Sequence, residues 1–314
     1  MTTATAPAPT TLARRVPAHV WFVGSAVFHY LGPAFAVLLF ARVEVLGVAW
    51  LRIASAAVVL GLWRRPWRVA RGLGTDGRRL LLAWGAVLAV MNCCFYLAID
   101  ALPLGTVAAI EFLPVIVLAA LGARSVRNAL ALALAVPGVY LLTGVHIGGE
   151  PLGVALAFAN AVLFALYIVL AHRVARHGAV GGIDALAASM VAAAVVVTPL
   201  AGWAAIPAAG DPVALLAGVG VGICSSVIPY ICDQLAMARL ARATYALMVS
   251  LLPATATVIG VIVLAQVPSP AEALGVALVI AGVAVHRDPE VAPAVSPAPR
   301  ADGHGADART AVGW

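Results

Sequence analysis

The sequence predicts an all-α integral membrane protein of ten transmembrane helices, arranged as two five-helix halves of opposite orientation. Of its 314 residues, 63% are hydrophobic and only 10% are charged, whereas a soluble domain carries roughly 25% charged residues. The apolar residues fall into runs of about 20, the length that crosses a bilayer as a helix. Two of these runs share a sequence pattern and lie five runs apart, which reverses the direction of the chain between them.

The apolar runs are too long and too uniform for β-strands. In chain order they cover 17–40, 45–63, 80–99, 103–121, 128–144, 151–171, 184–206, 212–234, 243–264 and 270–286. The first half covers residues 17–144 and the second half covers 151–287. Segments 1–16 and 288–314 are rich in Pro and Ala and predict disordered tails.

Charge alternates between the two sides of these runs. One side carries nearly all the arginines. They are concentrated in the loop 64–79 and in the other connections on the same side. The opposite side carries Arg42 and a set of carboxylates: Glu44, Asp100, Glu150, Asp211 and Glu272. The positive-inside rule then predicts a multi-pass protein of the bacterial inner membrane with both termini in the cytoplasm. Because the arginines flank apolar runs, they do not indicate nucleic-acid binding.

The internal repeat centres on two Leu-Pro steps. A small or polar cluster followed by an apolar run ends at Pro114 in the fourth span, and the same order of residues ends at Pro253 in the ninth. Two halves of opposite orientation are the plan of an inverted-repeat transporter. A proline within a helix removes one hydrogen bond, so we expect helix breaks near a site at Pro114 and Pro253. The Gly32-Pro33 step in the first span predicts another break.

Charge within an apolar run is costly and usually functional, and three charged residues are candidates on this ground: Glu111, Arg52 and Asp233. Glu111, in the middle of the fourth span, could accept a proton or bind a substrate ammonium group. Arg52 in the second span could neutralise Glu111 or bind a substrate carboxylate, and a fixed structural ion pair explains it equally well. Asp233, near the cytoplasmic end of the eighth span, could form a gate or lie in solvent at a helix end.

Other polar side chains suggest a binding pocket. His29 in the first span could titrate near neutral pH, although a lone histidine is more often a packing group. Asn92 and Tyr96 are four residues apart and share a helix face. Asn160 and Tyr167, seven apart, share a face in the second half. These two faces predict pocket linings, with interhelical hydrogen bonding as the alternative.

Cofactor and metal chemistry is not indicated. The four cysteines, Cys93, Cys94, Cys224 and Cys232, lie in apolar runs and their spacing matches no zinc motif. The sequence has no Walker loop, HExxH or GxSxG motif. We therefore expect no metal and no cofactor, and no ATP hydrolysis by this chain.

Several stretches resemble the drug/metabolite transporter superfamily, in its EamA-type branch and closest to the threonine/homoserine exporter group. These are AWLRIASAAVVLGLWRRP at 49–66, CFYLAIDALPLGTVAAIEF at 94–112 and LYIVLAHRV at 166–174, with IPYICDQLAMARLARATYALMVSLLP at 228–253. The resemblance implies ten helices in two inverted repeats and export of amino acids or similar metabolites in exchange for protons. This sequence departs from the family pattern at Leu252 and Gln266, where the family usually has glutamate.

The leading prediction is a secondary transporter that exports an amino acid or similar small metabolite by alternating access. Its partners are the substrate, the lipid bilayer and, under proton exchange, protons. Oligomeric state is open between a monomer and a homodimer. Two other classes remain: a non-transporting membrane scaffold or sensor, and an intramembrane enzyme whose only candidate residues are His29 and Ser250.

Overall fold

The computed structural model describes residues 16–114, 117, 125–146, 150–176, 182–237, 239–240, 248 and 251–285. The predicted tails, apart from Val16, and Ser250 lie outside the described residues. Where the structure describes the chain, its regular secondary structure is helical, and it has no strand.

The helices follow the apolar runs closely. They are α1 Ala18–Leu39, α2 Val45–Arg64, α3 Trp67–Gly72, α4 Thr75–Ala101, α5 Leu104–Glu111, α6 Val126–His146, α7 Pro151–Arg176, α8 Gly182–Ala201, α9 Pro212–Gly222, α10 Ile228–Met237, α11 Leu252–Leu264 and α12 Pro270–Val285. A 3-10 segment, Gly202–Gly210, continues α8. A π-helical turn, Ile223–Val227, joins α9 to α10.

Among the residues that the structure describes, six helical stretches are long and apolar enough to cross a membrane. They are Ala18–Leu39, Val45–Arg64, Thr75–Ala101, Pro151–Ala171, Ile183–Gly210 and Pro212–Asp233. Three shorter apolar helices accompany them: Val126–Leu142, Leu252–Leu264 and Pro270–Val285. The all-α, multi-pass membrane class predicted from composition is confirmed. The predicted fourth and ninth spans, 103–121 and 243–264, are described only in part.

The first and second halves of the chain interleave. Helix α4 packs against α7 and α8, α1 packs against α10 and α11, and α2 packs against α8 and α9. Helix α6 packs against α12 at a reciprocal contact: a Cβ on Gly138 would lie 2.8 Å from the Gly275 carbonyl oxygen, and a Cβ on Gly275 would lie 2.8 Å from that of Gly138. Only glycine permits this approach of two helix backbones.

Helices α2 and α8 run antiparallel and are joined by an ion pair at each end. Arg42, just before α2, bonds Asp211 at 3.1 Å, and Arg64, the last residue of α2, bonds Asp184 at 2.6 Å. Between the pairs lies a buried apolar seam that includes Ile53, Ala56, Ala57, Ala187, Met190, Ala193 and Val197. We call the end at Arg42 the carboxylate end and the end at Arg64 the arginine end.

Candidate functional site

Helix α5 delivers a carboxylate into the interior of the bundle. All eight of its residues are buried, and it ends at Glu111, just before a turn at Phe112. Pro114 follows two residues later and has no N–H to extend the helix. The Glu111 side chain is 8% exposed, and its Oε1 accepts a 3.1 Å hydrogen bond from Asn160 Nδ2 on α7. Glu111 and Asn160, predicted separately in the two halves, are therefore brought together.

A guanidinium lies nearby on α2. Arg52 is 8% exposed, and its Nε donates to Ser226 Oγ at 3.3 Å. Its Nη2 donates to the Ser225 carbonyl oxygen at 3.4 Å, and its Cζ lies 5.4 Å from the centre of the Tyr96 ring. Pro229 explains why the Ser225 carbonyl oxygen can accept from Arg52. In a regular helix the N–H of residue 229 would bond that carbonyl, and proline has no N–H.

The predicted ion pair between Arg52 and Glu111 is not formed in this structure, where no N···O distance within 4.0 Å joins them. The charge of Arg52 nevertheless acts electrostatically on Glu111 and on His29. Glu111 acts in the same way on Tyr30 of α1. We call Tyr30, Arg52, Tyr96, Glu111, Asn160 and Ser225 the central polar cluster.

The central polar cluster contains an unusual number of unsatisfied buried polar atoms. Within the described part of the chain, four of its atoms are buried without a hydrogen bond of good geometry: Tyr30 Oη, Tyr96 Oη, Asn160 Oδ1 and Ser225 Oγ. Tyr96 lies close enough to Ser225 and Arg52 to interact with both. Native interiors leave only a few such groups in every 100 residues. Four in one cluster, beside a buried guanidinium and a buried carboxyl group, mark a place suited to binding a polar solute.

A series of aromatic ring contacts extends from Phe112, next to Glu111, toward the arginine end. Phe164 stacks on Tyr167 at 6.3 Å and meets Phe112 at 6.2 Å, and Tyr167 lies 5.4 Å from Trp84. Asp233 acts electrostatically on Tyr167. The predicted residues Tyr167 and Asp233 thus lie close together, and Tyr230, which bonds Tyr167, also interacts electrostatically with Asp233 and Arg52.

Other predicted site residues have different roles. Asn92 is buried, but its Nδ2 donates to the Leu88 carbonyl oxygen of its own helix at 2.8 Å. The break expected at Gly32 and Pro33 is absent, because α1 continues through both residues. Gly32 instead allows close packing on Ser225, since a Cβ there would meet the Ser225 side chain.

A helix ends or begins near each of the two repeated prolines, where breaks were expected. Helix α5 ends three residues before Pro114, and α11 begins with Pro253 in its first turn. A proline in the first turn of a helix loses no hydrogen bond, because that N–H has no partner within the helix. Pro253 therefore lies in the first turn of α11 without loss of a helix hydrogen bond.

Sequence reasoning missed the serine pair Ser225 and Ser226, which meets Arg52. The available signal was Ser-Ser three residues before Pro229 in an otherwise apolar run. Among the residues that the structure describes, no three His, Cys, Asp or Glu side chains form a group that could bind a metal ion.

Comparison with known proteins agrees with this architecture. Residues 151–286 match the EamA-like transporter family. The threonine/homoserine exporter RhtA of Escherichia coli K12 is 31% identical over 253 residues, covering 80% of this chain and 84% of that protein. RhtA of Salmonella typhimurium LT2 is 29% identical over 270 residues, covering 83% and 89%.

One crystal structure shares the fold at 20% sequence identity. It aligns with a TM-score of 0.52 over 85% of this chain and 96% of that chain. Its low identity supports a shared fold and nothing about activity. The match to exporters over most of both chains, together with the family match to the second half, classifies the protein: it is a membrane transporter that belongs to the EamA-like transporter family.

Proposed function

We propose that this protein is a secondary exporter of an amino acid or similar small metabolite, driven by proton exchange. The observation that carries the proposal is the central polar cluster, in which, among the described residues, a buried carboxyl group, a buried guanidinium and four polar atoms without a well-formed hydrogen bond meet inside an apolar bundle. These groups match the ammonium, carboxylate and hydroxyl groups of a hydroxy amino acid. The relatives named as threonine/homoserine exporters support that substrate class.

Glu111 is the proposed proton-coupling residue. Its carboxyl group is buried, and among the described residues it receives one hydrogen bond, from the neutral Asn160 amide, and has no cation in ion-pair contact. A group in that setting can exchange a proton for a substrate ammonium group, because the two bind the same carboxylate oxygens. Arg52 then orients the substrate carboxylate without leaving its serine contacts.

The proposed architecture is ten membrane helices in two inverted repeats, with alternating access between them. The helix contacts support it. If each span is replaced by the span five places away, the contact of α4 with α7 becomes that of α10 with α1, and the contact of α4 with α8 becomes that of α9 with α2. All four contacts are observed. The same replacement exchanges α6 and α12, so their contact at Gly138 and Gly275 corresponds to itself. The arginine distribution supports placement in the bacterial inner membrane with both termini in the cytoplasm.

Uptake of labelled amino acids into inverted membrane vesicles tests the proposal. We expect uptake of threonine or a related amino acid that rises when the vesicle interior is acidic, as export coupled to proton entry requires. Glu111→Gln removes the titrating group and is expected to abolish the dependence on the pH gradient. Glu150→Gln, at an exposed carboxylate, is the matched control and should behave as the wild type.

Two results would contradict the proposal. If a broad amino-acid panel shows no gradient-dependent uptake, the protein is not an amino-acid exporter of this kind. If Glu111→Gln keeps full pH-dependent activity, proton coupling lies elsewhere.

A further inference from the structure

The carboxylate at the centre of the polar cluster is short of hydrogen-bond donors. An ionised carboxylate only accepts hydrogen bonds, and its two oxygens offer about four acceptor positions. Among the described residues, Glu111 receives one hydrogen bond, at Oε1 from Asn160 Nδ2, and none reaches Oε2. Because Glu111 is only 8% exposed, its remaining acceptor positions lie inside the bundle.

Asn160 places a second acceptor beside that carboxylate. Its Nδ2 lies 3.1 Å from Glu111 Oε1, and Oδ1 is bonded to the same carbon as Nδ2, so covalent geometry holds Oδ1 close to the carboxylate. Asn160 is 0% exposed, and within the described part of the chain its Oδ1 has no hydrogen bond of good geometry. A buried acceptor without a donor is costly and rare in native proteins. One end of this amide is therefore held by Glu111, and the other end is available to a ligand.

Tyr30 of α1 supplies a third acceptor. It is 1% exposed, and among the described residues its Oη likewise lacks a hydrogen bond of good geometry. Tyr30 belongs to the same buried core as Ile110 and Phe112, which flank Glu111 in the sequence, and it interacts electrostatically with Glu111. A tyrosine hydroxyl can accept a hydrogen bond as well as donate one. We call the Glu111 carboxylate, Asn160 Oδ1 and Tyr30 Oη the acceptor triad.

The other half of the central polar cluster is rich in donors. Arg52 has five N–H donors and no acceptor, and its Nε and Nη2 contact Ser226 and Ser225. Tyr96 interacts with both Arg52 and Ser225. Arg52 also interacts electrostatically with Glu111 without forming an ion pair with it. A ligand bound between the two halves therefore needs acceptors at one end and donors at the other.

We propose that the acceptor triad selects a primary ammonium group, so that Asn160 and Tyr30 are specificity-determining residues for the amino end of the substrate. The inference rests on the proposed function. A primary ammonium group has three N–H donors, one for each member of the triad, and its charge complements the Glu111 carboxylate. An N-methyl amino acid has two N–H donors and leaves one buried acceptor unpaired, which is costly.

Competition in proteoliposomes that contain the full chain tests the proposal. Counterflow of labelled L-threonine, or of the amino acid that the vesicles take up fastest, is measured against unlabelled competitors. N-methylation removes one N–H donor and N,N-dimethylation removes two, whereas methylation of Cα adds a carbon of the same size and keeps all three. We expect the N-methyl compound to need an about tenfold higher concentration than the parent for half inhibition, and the Cα-methyl compound to stay within about threefold of the parent.

Two variants assign the contacts. Tyr30→Phe removes one hydroxyl and keeps the ring. We expect it to weaken inhibition by the parent several-fold and to leave inhibition by the N-methyl compound unchanged, because the two remaining acceptors match its two N–H donors. Asn160→Leu, which has a similar volume, should narrow the difference between the two competitors in the same way. A purely structural role would weaken both competitors equally and leave their ratio at the wild-type value.

Two matched substitutions serve as controls. Tyr140→Phe removes a hydroxyl from a side chain that is 74% exposed. Asn92→Leu changes a buried asparagine whose Nδ2 bonds the Leu88 carbonyl oxygen of its own helix. Both should keep the wild-type ratio of the two competitors. Thermal unfolding of each purified variant confirms that it is folded, and Tyr30→Phe decides the case alone if Asn160→Leu does not fold.

Failure of this inference can be told apart from failure of the proposed function. If the wild type transports an amino acid and the N-methyl derivative competes as well as the parent, the site does not select a primary ammonium group. If the ratio keeps its wild-type value in the folded variants, Asn160 and Tyr30 do not determine the selection. If the wild type transports no amino acid, the proposed function itself is wrong, and this inference is overturned with it.

Discussion

At the scale of single residues, Arg52 is the group whose geometry is most demanding. Its guanidinium contacts Ser226 Oγ, the Ser225 carbonyl oxygen and the face of Tyr96 at the same time. A lysine keeps the charge but is a single point donor that cannot reproduce this fork. Arg52→Lys should therefore leave buried acceptors unpaired.

We expect Arg52→Lys to lower the free energy of unfolding by about 1–3 kcal/mol and to reduce amino-acid counterflow at least tenfold. Thermal unfolding of the purified chain and counterflow in proteoliposomes measure the two effects. Arg127→Lys is the matched control, because Arg127 makes a single exposed contact with the Val285 carbonyl oxygen. Equal stability and activity in both variants would refute this role of Arg52.

The residues of the central polar cluster could be predicted better than their pairing. Glu111 and Arg52 were identified because charged groups in apolar runs are rare and informative. The contacts they make were not predicted, since Asn160 is 49 positions from Glu111 and Ser225 is 173 positions from Arg52. Helix periodicity determines which residues share a face, but it does not determine which faces meet.

At the scale of helices, the apolar runs predicted most boundaries within a few residues, because a bilayer imposes both length and composition on each span. The π-helical turn before Pro229 and the αL residue Ala265 at the end of α11 were not predicted. Both depend on tertiary contacts. Ala265 reverses the chain so that Gln266 reaches the N-terminus of α5, and no local motif indicates that contact.

Asp211 caps α9 and gives the clearest expectation of pH dependence. Its Oδ1 accepts from the N–H groups of Ala214 and Val213, and its Oδ2 accepts from Arg42. The Ala214 N–H, followed by Arg42 and Val213, holds the pKa of Asp211 below its ordinary value. The ionised form is thus favoured in the folded state, so its stabilisation is complete above the unfolded pKa of about 3.9 and is lost as the pH falls through the folded value.

We expect Asp211→Asn to lower the melting temperature at neutral pH, with a difference that shrinks as the pH falls below about 4. Asparagine still caps the helix, so the remaining difference reports the charge. Asp76→Asn, at a carboxylate that is 92% exposed, should change the melting temperature little at any pH. A constant Asp211→Asn difference from neutral to acid pH would contradict the assignment.

The reciprocal contact between α6 and α12 predicts matched effects of two substitutions. Gly138→Ala and Gly275→Ala each place a Cβ 2.8 Å from the carbonyl oxygen of the facing glycine. We expect each to lower the free energy of unfolding by about 1–3 kcal/mol, because neither backbone can move away without separating the helices. Gly220→Ala is the control, since a Cβ there has nothing within 4 Å. Thermal unfolding checks the prediction, and a neutral result at both positions would contradict it.

At the scale of the whole molecule, the α2–α8 seam is closed at both of its ends. The arginine end is closed by Arg64 and Asp184. The carboxylate end is closed by Arg42 and Asp211 and by Gly47, which packs directly on Ala204. Under the proposed inverted repeat, alternating access exchanges the conformations of the two halves. Because that exchange swaps the two ends of this seam and both are already closed, the seam stays closed in either state, and the opening motion occurs between other helices.

This argument predicts that crosslinking the seam leaves transport intact. In a chain without native cysteines, Arg64→Cys with Asp184→Cys, and separately Arg42→Cys with Asp211→Cys, are joined by a short bis-maleimide of about the length of the ion pair they replace. We expect each crosslinked protein to retain at least half of the counterflow rate of the same double variant before crosslinking, since neither end has to separate during the cycle. If crosslinking at either end stops counterflow, that end opens during transport, and the α2–α8 seam is a gate, because a seam closed in both states could not be blocked in this way.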